Sequence, residues 1–367
     1  MSLPVRLLIA TPLYPPDPGG PATYAHILAQ NLPEQGISVE VVSFGEVRHL
    51  PKIIRHGAYF FRLLKASASC DRILALDPVS VGLPALLVAR LSKKPLFLKI
   101  VGDYAWEQGR QRFGITQDLD AFLSEHSLPL PVRLLRSIER YVAEGAQKIV
   151  VPSFYLKHVV SSWGISEEKI SVIYNAIPAT EKGVCPEELT GLEDPLVLCV
   201  SRLVPWKHVD HVIDAVEHVT EQGLSLNLAV VGSGPLESEL RKKAHASSAQ
   251  CMMLGAKDRA STDGAFEAAD IFVLNSSYEG LSHVLIEALV HGKAIIATDA
   301  GGNTELIENE VNGLIIPVGD TPALTRALVR LIENPGLRTK LQEGARRSAG
   351  SFDVNTMITK TTELLSV

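Results

Sequence analysis

The sequence predicts an α/β protein built from two doubly wound domains, and three observations lead there. Short apolar runs alternate with helical stretches along most of the chain. Runs of this kind, apolar throughout and separated by helices, make parallel sheets covered on both faces. The chain has 367 residues, which suits two domains of about 150–200 residues each. Residues 178–195 are poor in periodicity and rich in Pro, Gly and Glu, as expected of an interdomain linker.

In the first half, residues 5–10, 38–42, 72–76, 96–101 and 148–151 read as strands. Residues 102–131 form a long polar and aromatic stretch to which the sequence assigns no element. The second half is cleaner. A strand at 196–201 is followed by a helix over about 209–221, and a strand at 226–231 closes on Gly232-Ser233-Gly234-Pro235 before a helix to about 246. Further strands are predicted at 251–254, 270–275 and 294–298. Residues 354–365 read as a short helix with no strand after it. Two such domains leave a cleft between the C-terminal edges of their sheets, where ligands bind in folds of this kind.

Composition narrows the function classes. Apolar residues make up 46% of the chain, enough for two cores and too many for a disordered protein. No apolar run approaches the roughly 20 residues of a membrane span. The run from Met1 to Ala10 lacks a basic start and a small-residue cleavage site, so it is not read as a signal peptide. Four scattered cysteines (Cys70, Cys185, Cys199 and Cys251) form no C-x-x-C pair and are expected to be reduced, buried thiols of a cytoplasmic protein. Net charge is divided unevenly, +4 over residues 1–180 and −10 over 181–367. A basic first half is expected to face something anionic, but nothing here has the basic excess of a nucleic-acid binder.

Four charged residues are expected on loops facing the cleft. Arg202 ends the strand at 196–201, and Lys207 follows five residues later. Arg presents a planar fork and Lys a point charge, a combination that suits a diphosphate, although two solvated loop cations would look the same. Glu279 lies on the loop after the strand at 270–275, and Ser282 is a good N-cap for the helix that carries Glu287. Amides near His283 and Val284 at the start of that helix can face phosphate or sugar oxygens. The apolar neighbours Leu285, Ile286, Ala288 and Leu289 predict that Glu287 is largely buried, and a buried carboxylate needs a partner.

The ordered set resembles glycosyltransferase family 4. It comprises Ser201-Arg202-Leu203, Lys207, Gly232-Ser233-Gly234-Pro235, the Glu279/Glu287 spacing, Ala300-Gly301-Gly302-Asn303-Thr304-Glu305 and Asn312-Gly313-Leu314. Tyr14-Pro15-Pro16 with Gly19-Gly20, Pro152-Ser153, and Ile173-Tyr174-Asn175-Ala176-Ile177-Pro178 extend the resemblance over nearly the whole chain. The family implies the GT-B fold, with an N-terminal acceptor-binding domain over 1–179, a C-terminal donor-binding domain over 190–351, and the helical tail 352–367 packing back on the first. It implies retaining transfer of a hexose-type sugar from a nucleoside diphosphate sugar to a glycan, lipid-linked or small-molecule acceptor, in polysaccharide or glycolipid synthesis, with no obligatory metal or cofactor. By resemblance, Arg202 and Lys207 hold the donor diphosphate, Glu287 the ribose, and Glu279 a hydroxyl of the sugar, while Gly19, Gly20 and Gly234 bring backbone close to the nucleotide. Ser282 fills a slot that is often Gly in the family, which bears on donor identity. An epimerase-like enzyme on the same fold, or a non-catalytic partner of another transferase, are the alternatives.

Weaker candidates carry two readings each. Asp103 follows a strand and either faces the acceptor or caps a helix. His126 is a candidate acceptor contact. Asp118-Leu119-Asp120 matches a metal motif of another fold, but follows no strand and reads as coincidence. Gly232-Ser233-Gly234 lacks the third glycine of a dinucleotide loop. His208 and His211 have helical spacing but no further ligand, so no metal site is expected. Residues 47–70 hold five cations, Arg48, Lys52, Arg55, Arg62 and Lys65, and no acid. They read as a basic amphipathic helix, with Ile53, Ile54, Phe60, Phe61 and Leu64 on one face and Lys52, Arg55, His56, Tyr59 and Arg62 on the other. Such a helix either packs on its own sheet or docks at the anionic inner face of the plasma membrane.

Overall fold

The structure, a computed structural model, describes residues 5–17, 19–177, 182–192 and 195–366, the side chains of Lys52 and Ile53 excepted. The chain divides into two compact units, Met1–Asn175 with Val354–Val367, and Ala176–Asp353. Within the expected linker, 178–181 and 193–194 lie outside the described residues. The described part is pinned to the second unit: Gly183 N–H donates to Glu267 Oε1 at 2.8 Å and Val184 N–H to Ala260 O at 2.9 Å. Gly183 and Gly264 meet backbone to backbone, where a Cβ on either would collide.

The first unit holds six parallel strands: β1 (Val5–Thr11), β2 (Ile37–Ser43), β3 (Arg72–Ala75), β4 (Leu96–Lys99), β5 (Lys148–Val151) and β6 (Ile170–Val172). Their order is β2-β1-β3-β4-β5-β6. The order reverses at β1, so the strand ends of β1 and β3 flank this sheet's switch point. The loop after β1 leads to the helix Gly20–Asn31, whose N-cap Gly19 has φ 135°, a conformation open to glycine. The tail helix Val354–Leu365 packs against that same helix.

The second unit repeats the plan with β7 (Leu196–Val200), β8 (Asn227–Val231), β9 (Gln250–Gly255), β10 (Ile271–Leu274), β11 (Ala294–Thr298) and β12 (Leu314–Ile316). All are parallel in the order β12-β11-β10-β7-β8-β9. β7, β8, β10 and β11 are buried along their whole length and form the core with the helices Val209–Glu221 and Thr321–Glu333. The order reverses between β7 and β10, so loops from these two strands open side by side at the C-terminal edge.

The predicted strands are all present within a few residues. β6 and β12 are additions: each has three residues at a sheet edge, too short for periodicity to register. The unassigned stretch 102–131 contains the helices Tyr104–Arg112 and Leu119–Ser124 and the start of Leu130–Gly145. Asp103 and Asp118 cap the first two, accepting from Trp106 N and Ala121 N at 2.8 Å each. Against expectation, Cys185 is exposed and Cys251 half-buried, while Cys70 and Cys199 are buried; all four are free thiols.

The helix Lys52–Ser67 turns differently from its sequence projection. Tyr59, assigned to the polar face, is fully buried and donates to Val42 O at 3.0 Å. Leu63 and Ala66 are buried beside it, whereas Ile54 and Phe61 point outward. The buried stripe follows the i, i+4, i+7 positions 59, 63 and 66, so shape at the sheet outweighs the hydrophobicity ranking. The side chains of Lys52 and Ile53 lie outside the described residues.

Candidate functional site

Two of the second unit's charged candidates meet at the switch point. Lys207 comes from the loop after β7 and Glu279 from the loop after β10, and Lys207 Nζ pairs with Glu279 Oε1. Both are largely buried, with side chains 16% and 10% exposed. Ser276 Oγ donates to the same carboxylate oxygen at 2.6 Å. The pair is therefore a positioned ammonium held by a carboxylate that already has a second donor. Arg202 lies earlier on the β7 loop, is exposed, and makes no side-chain hydrogen bond or ion pair among the described residues.

Backbone packing fixes these loops on one another. Ser277 N–H donates to Trp206 O at 2.8 Å, and Gly302 N–H to Glu279 O at 3.0 Å. Leu203 N–H donates to Ser233 O at 2.9 Å, and Leu236 N–H to Leu203 O at 3.1 Å. Three glycines make this closeness possible. A Cβ at Gly232 would collide with Ser201 O, at Gly234 with Leu203 O, and at Gly302 with Gly280 O. Gly234, after β8, thus has a packing reason against the loop that carries Arg202.

Glu287 lies on the helix His283–Val290, capped as predicted by Ser282, whose Oγ accepts from Leu285 N at 3.4 Å. His283 and Val284, in the first turn, are half-buried. Burial pushes the Glu287 carboxyl above its ordinary range, against the pull of Arg259. The partner that burial demanded is Arg259, with Nη1 2.6 Å from Glu287 Oε1. Arg259 Nε also contacts Asp263 at 2.8 Å, and Asp263 lies 3.2 Å from His291 Nε2. Sequence reasoning missed Arg259 because it sits 28 residues upstream, on the helix Arg259–Ala268. His208 is left-handed, with φ 45°. Its ring stacks on His211 at 5.1 Å, and Asp210 joins them, with the three donor atoms within 4.8 Å of one another. Asp210 is the third donor that the sequence reading lacked.

The first unit holds the remaining candidates. Asp103 is fully buried as a helix cap beside Glu139, which is equally buried and accepts from Ala105 N at 3.2 Å. His126 is exposed on the loop before Leu130–Gly145. Lys99, at the end of β4, was not singled out. It is 1% exposed, donates to Asn175 Oδ1 at 2.7 Å, and lies 4.0 Å over the Tyr24 ring. Burial lowers its pKa to about 7.

Comparison with known proteins places this geometry. The family model described as glycosyltransferase family 4 matches residues 18–181, and the one described as glycosyl transferases group 1 matches 186–348. The chain is 30% identical to an alpha-D-kanosaminyltransferase of Streptomyces kanamyceticus over 43% of its length and 42% of the relative's. It is 26% identical to a GDP-mannose-dependent alpha-mannosyltransferase of Mycobacterium tuberculosis over 82% and 75%. With a UDP-Gal:alpha-D-GlcNAc-diphosphoundecaprenol alpha-1,3-galactosyltransferase of Escherichia coli it shares 27% over 53% and 54%. The chain spans about half the length of most of the curated relatives it matches. In fold it is similar to Anabaena HepE, crystallised with UDP-glucose, at a TM-score of 0.75 and 21% identity over 98% of this chain and 99% of that one. A sucrose-phosphate synthase of Thermosynechococcus elongatus gives 0.79 at 16% identity, over 99% and 98%. The fold is the expected GT-B fold, and no described helix is long and apolar enough to cross a membrane. The chain belongs to the glycosyltransferases of family 4.

Proposed function

We propose that this protein transfers a hexose-type sugar, with retention of anomeric configuration, from a UDP- or GDP-sugar to a glycan or lipid-linked acceptor. The observation that carries the reading is the Lys207–Glu279 pair, whose lysine shares the β7 loop with the exposed Arg202, set at the switch point of the second sheet. Breaking the anomeric bond leaves an oxocarbenium-like sugar and adds negative charge to the diphosphate. Fixed cations there stabilise the transition state more than the ground state. Arg202, with no side-chain partner among the described residues, supplies the fork, and Lys207 supplies a charge whose position Glu279 and Ser276 set. The second Glu279 oxygen is then the acceptor for a sugar hydroxyl. Glu287, with one oxygen on Arg259, keeps another for a ribose hydroxyl.

Relatives whose names print UDP-Gal and GDP-mannose support the donor class, and the alpha linkages in their names support retention from alpha-linked donors. The diphosphoundecaprenol in the name of the E. coli relative supports a lipid-linked acceptor. The mechanism asks no metal of the chain. The test is a thermal-shift and hydrolysis screen over UDP-, GDP-, ADP- and TDP-sugars, with the product anomer read by NMR. Stabilisation and slow hydrolysis by one donor are expected. Silence with every donor, or an epimerised nucleotide sugar in place of transfer, would overturn the reading.

A further inference from the structure

The turn that follows β7 brings two imidazoles and a carboxylate together. It runs from the short turn Pro205–Lys207 into the helix Val209–Glu221, and His208 joins the two. His208 has φ 45° and ψ 44°, a left-handed conformation that a residue with a side chain adopts at a cost. Asp210 and His211 lie in the first turn of the helix, and all three side chains are half-buried. The sequence lacked a third donor at this place, and the fold supplies it in Asp210.

Three observations mark the cluster as a place for a metal ion. One donor atom from each of His208, Asp210 and His211 lies within 4.8 Å of the other two. His211 Nε2 and Asp210 Oδ2 face each other at 3.7 Å, too far for a hydrogen bond. Two ligand atoms on one tetrahedral ion lie about 3.4 Å apart, so small side-chain rotations close the set. His211 Nδ1 is buried with no hydrogen-bond partner among the described residues. Neither nitrogen of that ring is therefore committed to a hydrogen bond with a described residue.

Electrostatics admit a cation here. The start of the helix carries partial positive charge, but Asp210 in its first turn brings a full negative one. Lys207, the adjoining cation, is already paired with Glu279. Two imidazoles and one carboxylate suit zinc and its neighbours in the transition series, whereas magnesium and calcium ask for oxygen ligands alone.

We propose that His208, Asp210 and His211 bind one divalent transition-metal ion of the zinc class. The ion ties the start of the helix to the residue beside Lys207. His208 O already accepts from Asn275 Nδ2 at 3.3 Å, so the ion braces a turn that also meets the β10 loop. The site braces the turn that presents Lys207, takes no part in the transfer step, and stands independently of the sugar-transfer reading.

Calorimetry of the full, metal-stripped chain with Zn2+ tests it, with Mg2+ as the control. One Zn2+ per chain is expected, with a higher melting temperature in its presence and no measurable binding of Mg2+. Co2+ in its place should show the visible bands of a nitrogen- and oxygen-bound ion, without the near-ultraviolet band of a thiolate. His208→Gly suits the left-handed backbone and His211→Gln keeps a side chain of similar size, so both should fold, as a thermal melt would show. Each should weaken Zn2+ by at least about a hundredfold, the upper end of what a lost supporting contact costs at such sites. Cys185→Ser removes an exposed thiol and should leave binding unchanged. No Zn2+ binding by the folded chain would overturn the proposal, as would full binding by either histidine variant. Loss of binding in Cys185→Ser, or a thiolate band with Co2+, would assign the ion to cysteine and overturn it as well.

Discussion

The two sheets end in different chemistry. At the C-terminal edge of the second, Arg202 is exposed and Lys207 is held by Glu279 within reach of solvent. At the end of β4 in the first, Lys99 and Asp103 are 1% and 0% exposed, each absorbed by its own unit. Both edges carry charged residues at strand ends, so the pattern alone does not separate them. What separates them is how the loops are built. Interlocked glycines hold the second-unit loops rigidly enough to present a charge, whereas the first unit uses its charges to cap a helix and to tie strand to chain.

The largest expected effect tests the presenting edge. Arg202→Ala and Lys207→Ala should each lower turnover by on the order of 10²–10³-fold, the loss of one well-placed donor to a developing anion. They should differ in stability. The Arg202 side chain bonds to none of the described residues, so its removal should leave the melting temperature unchanged. Removing Lys207 leaves a buried carboxylate with Ser276 alone, which costs about 1–3 kcal/mol. Steady-state kinetics and thermal melts on both variants decide it. A folded Lys207→Ala protein with full turnover would remove Lys207 from the reaction.

The next effect tests the absorbing edge. The Lys99 ammonium has its pKa lowered to about 7 by burial. Between that value and the ordinary lysine range, the unfolded chain holds a proton that the folded chain has released. Stability should therefore rise with pH across that window and stay flat below it. Lys99→Met should remove this slope and raise stability at neutral pH by on the order of 2 kcal/mol. Urea melts of parent and variant from pH 6 to 10 measure it. Parallel curves would mean that Lys99 is charged in the fold.

Coupling within the clamp comes next. The sequence reading gave Glu279 to the sugar and Lys207 to the diphosphate, but the structure joins them. A double-mutant cycle with Lys207→Ala and Glu279→Gln, read by calorimetry with UDP, should show a coupling of about 1–2 kcal/mol. Additive effects would restore the separate roles. Glu287→Gln should weaken UDP about tenfold, the value of a lost hydrogen bond to a charged group.

Legibility followed the same division. Strands of the second unit could be read from their apolar runs because they are buried along their length. The motif residues there were legible because sequence neighbours share a loop. Several of them proved to be fasteners: Asn312 Nδ2 donates to Leu306 O at 3.0 Å, and Gly313 packs against Ile295 and Ile307. Arg259 was not legible, since its meeting with Glu287 depends on how two helices pack. Nor was the inward turn of Tyr59, whose hydroxyl finds Val42 O, a partner that no hydrophobicity pattern displays.

The smallest effect concerns Asp103, which the sequence offered as either an acceptor contact or a cap. Its carboxyl accepts from Trp106 N at the start of Tyr104–Arg112, and Glu139 accepts from Ala105 N at the same turn. Burial pushes both carboxyls up. The Asp103 charge raises Glu139 further, against the pull of Arg136 and Arg140, whereas the hydrogen bond from Glu139 draws Asp103 back down. The folded chain therefore keeps a proton on this pair after the unfolded chain has lost it. Stability from the pair is complete below the ordinary Glu range and is lost as pH rises toward the raised folded value. Glu139→Gln keeps an oxygen for Ala105 N and replaces the shared proton with an amide donor that does not titrate. The variant should be more stable than the parent at pH 8 by about 1 kcal/mol, and equal to it at pH 4. Chemical denaturation at the two values measures the difference. A variant that is less stable at both would show that the two carboxyls do not share a proton. A Glu139→Gln protein that folds normally but loses transfer activity with acceptor, while still hydrolysing donor, would return Asp103 to the reaction.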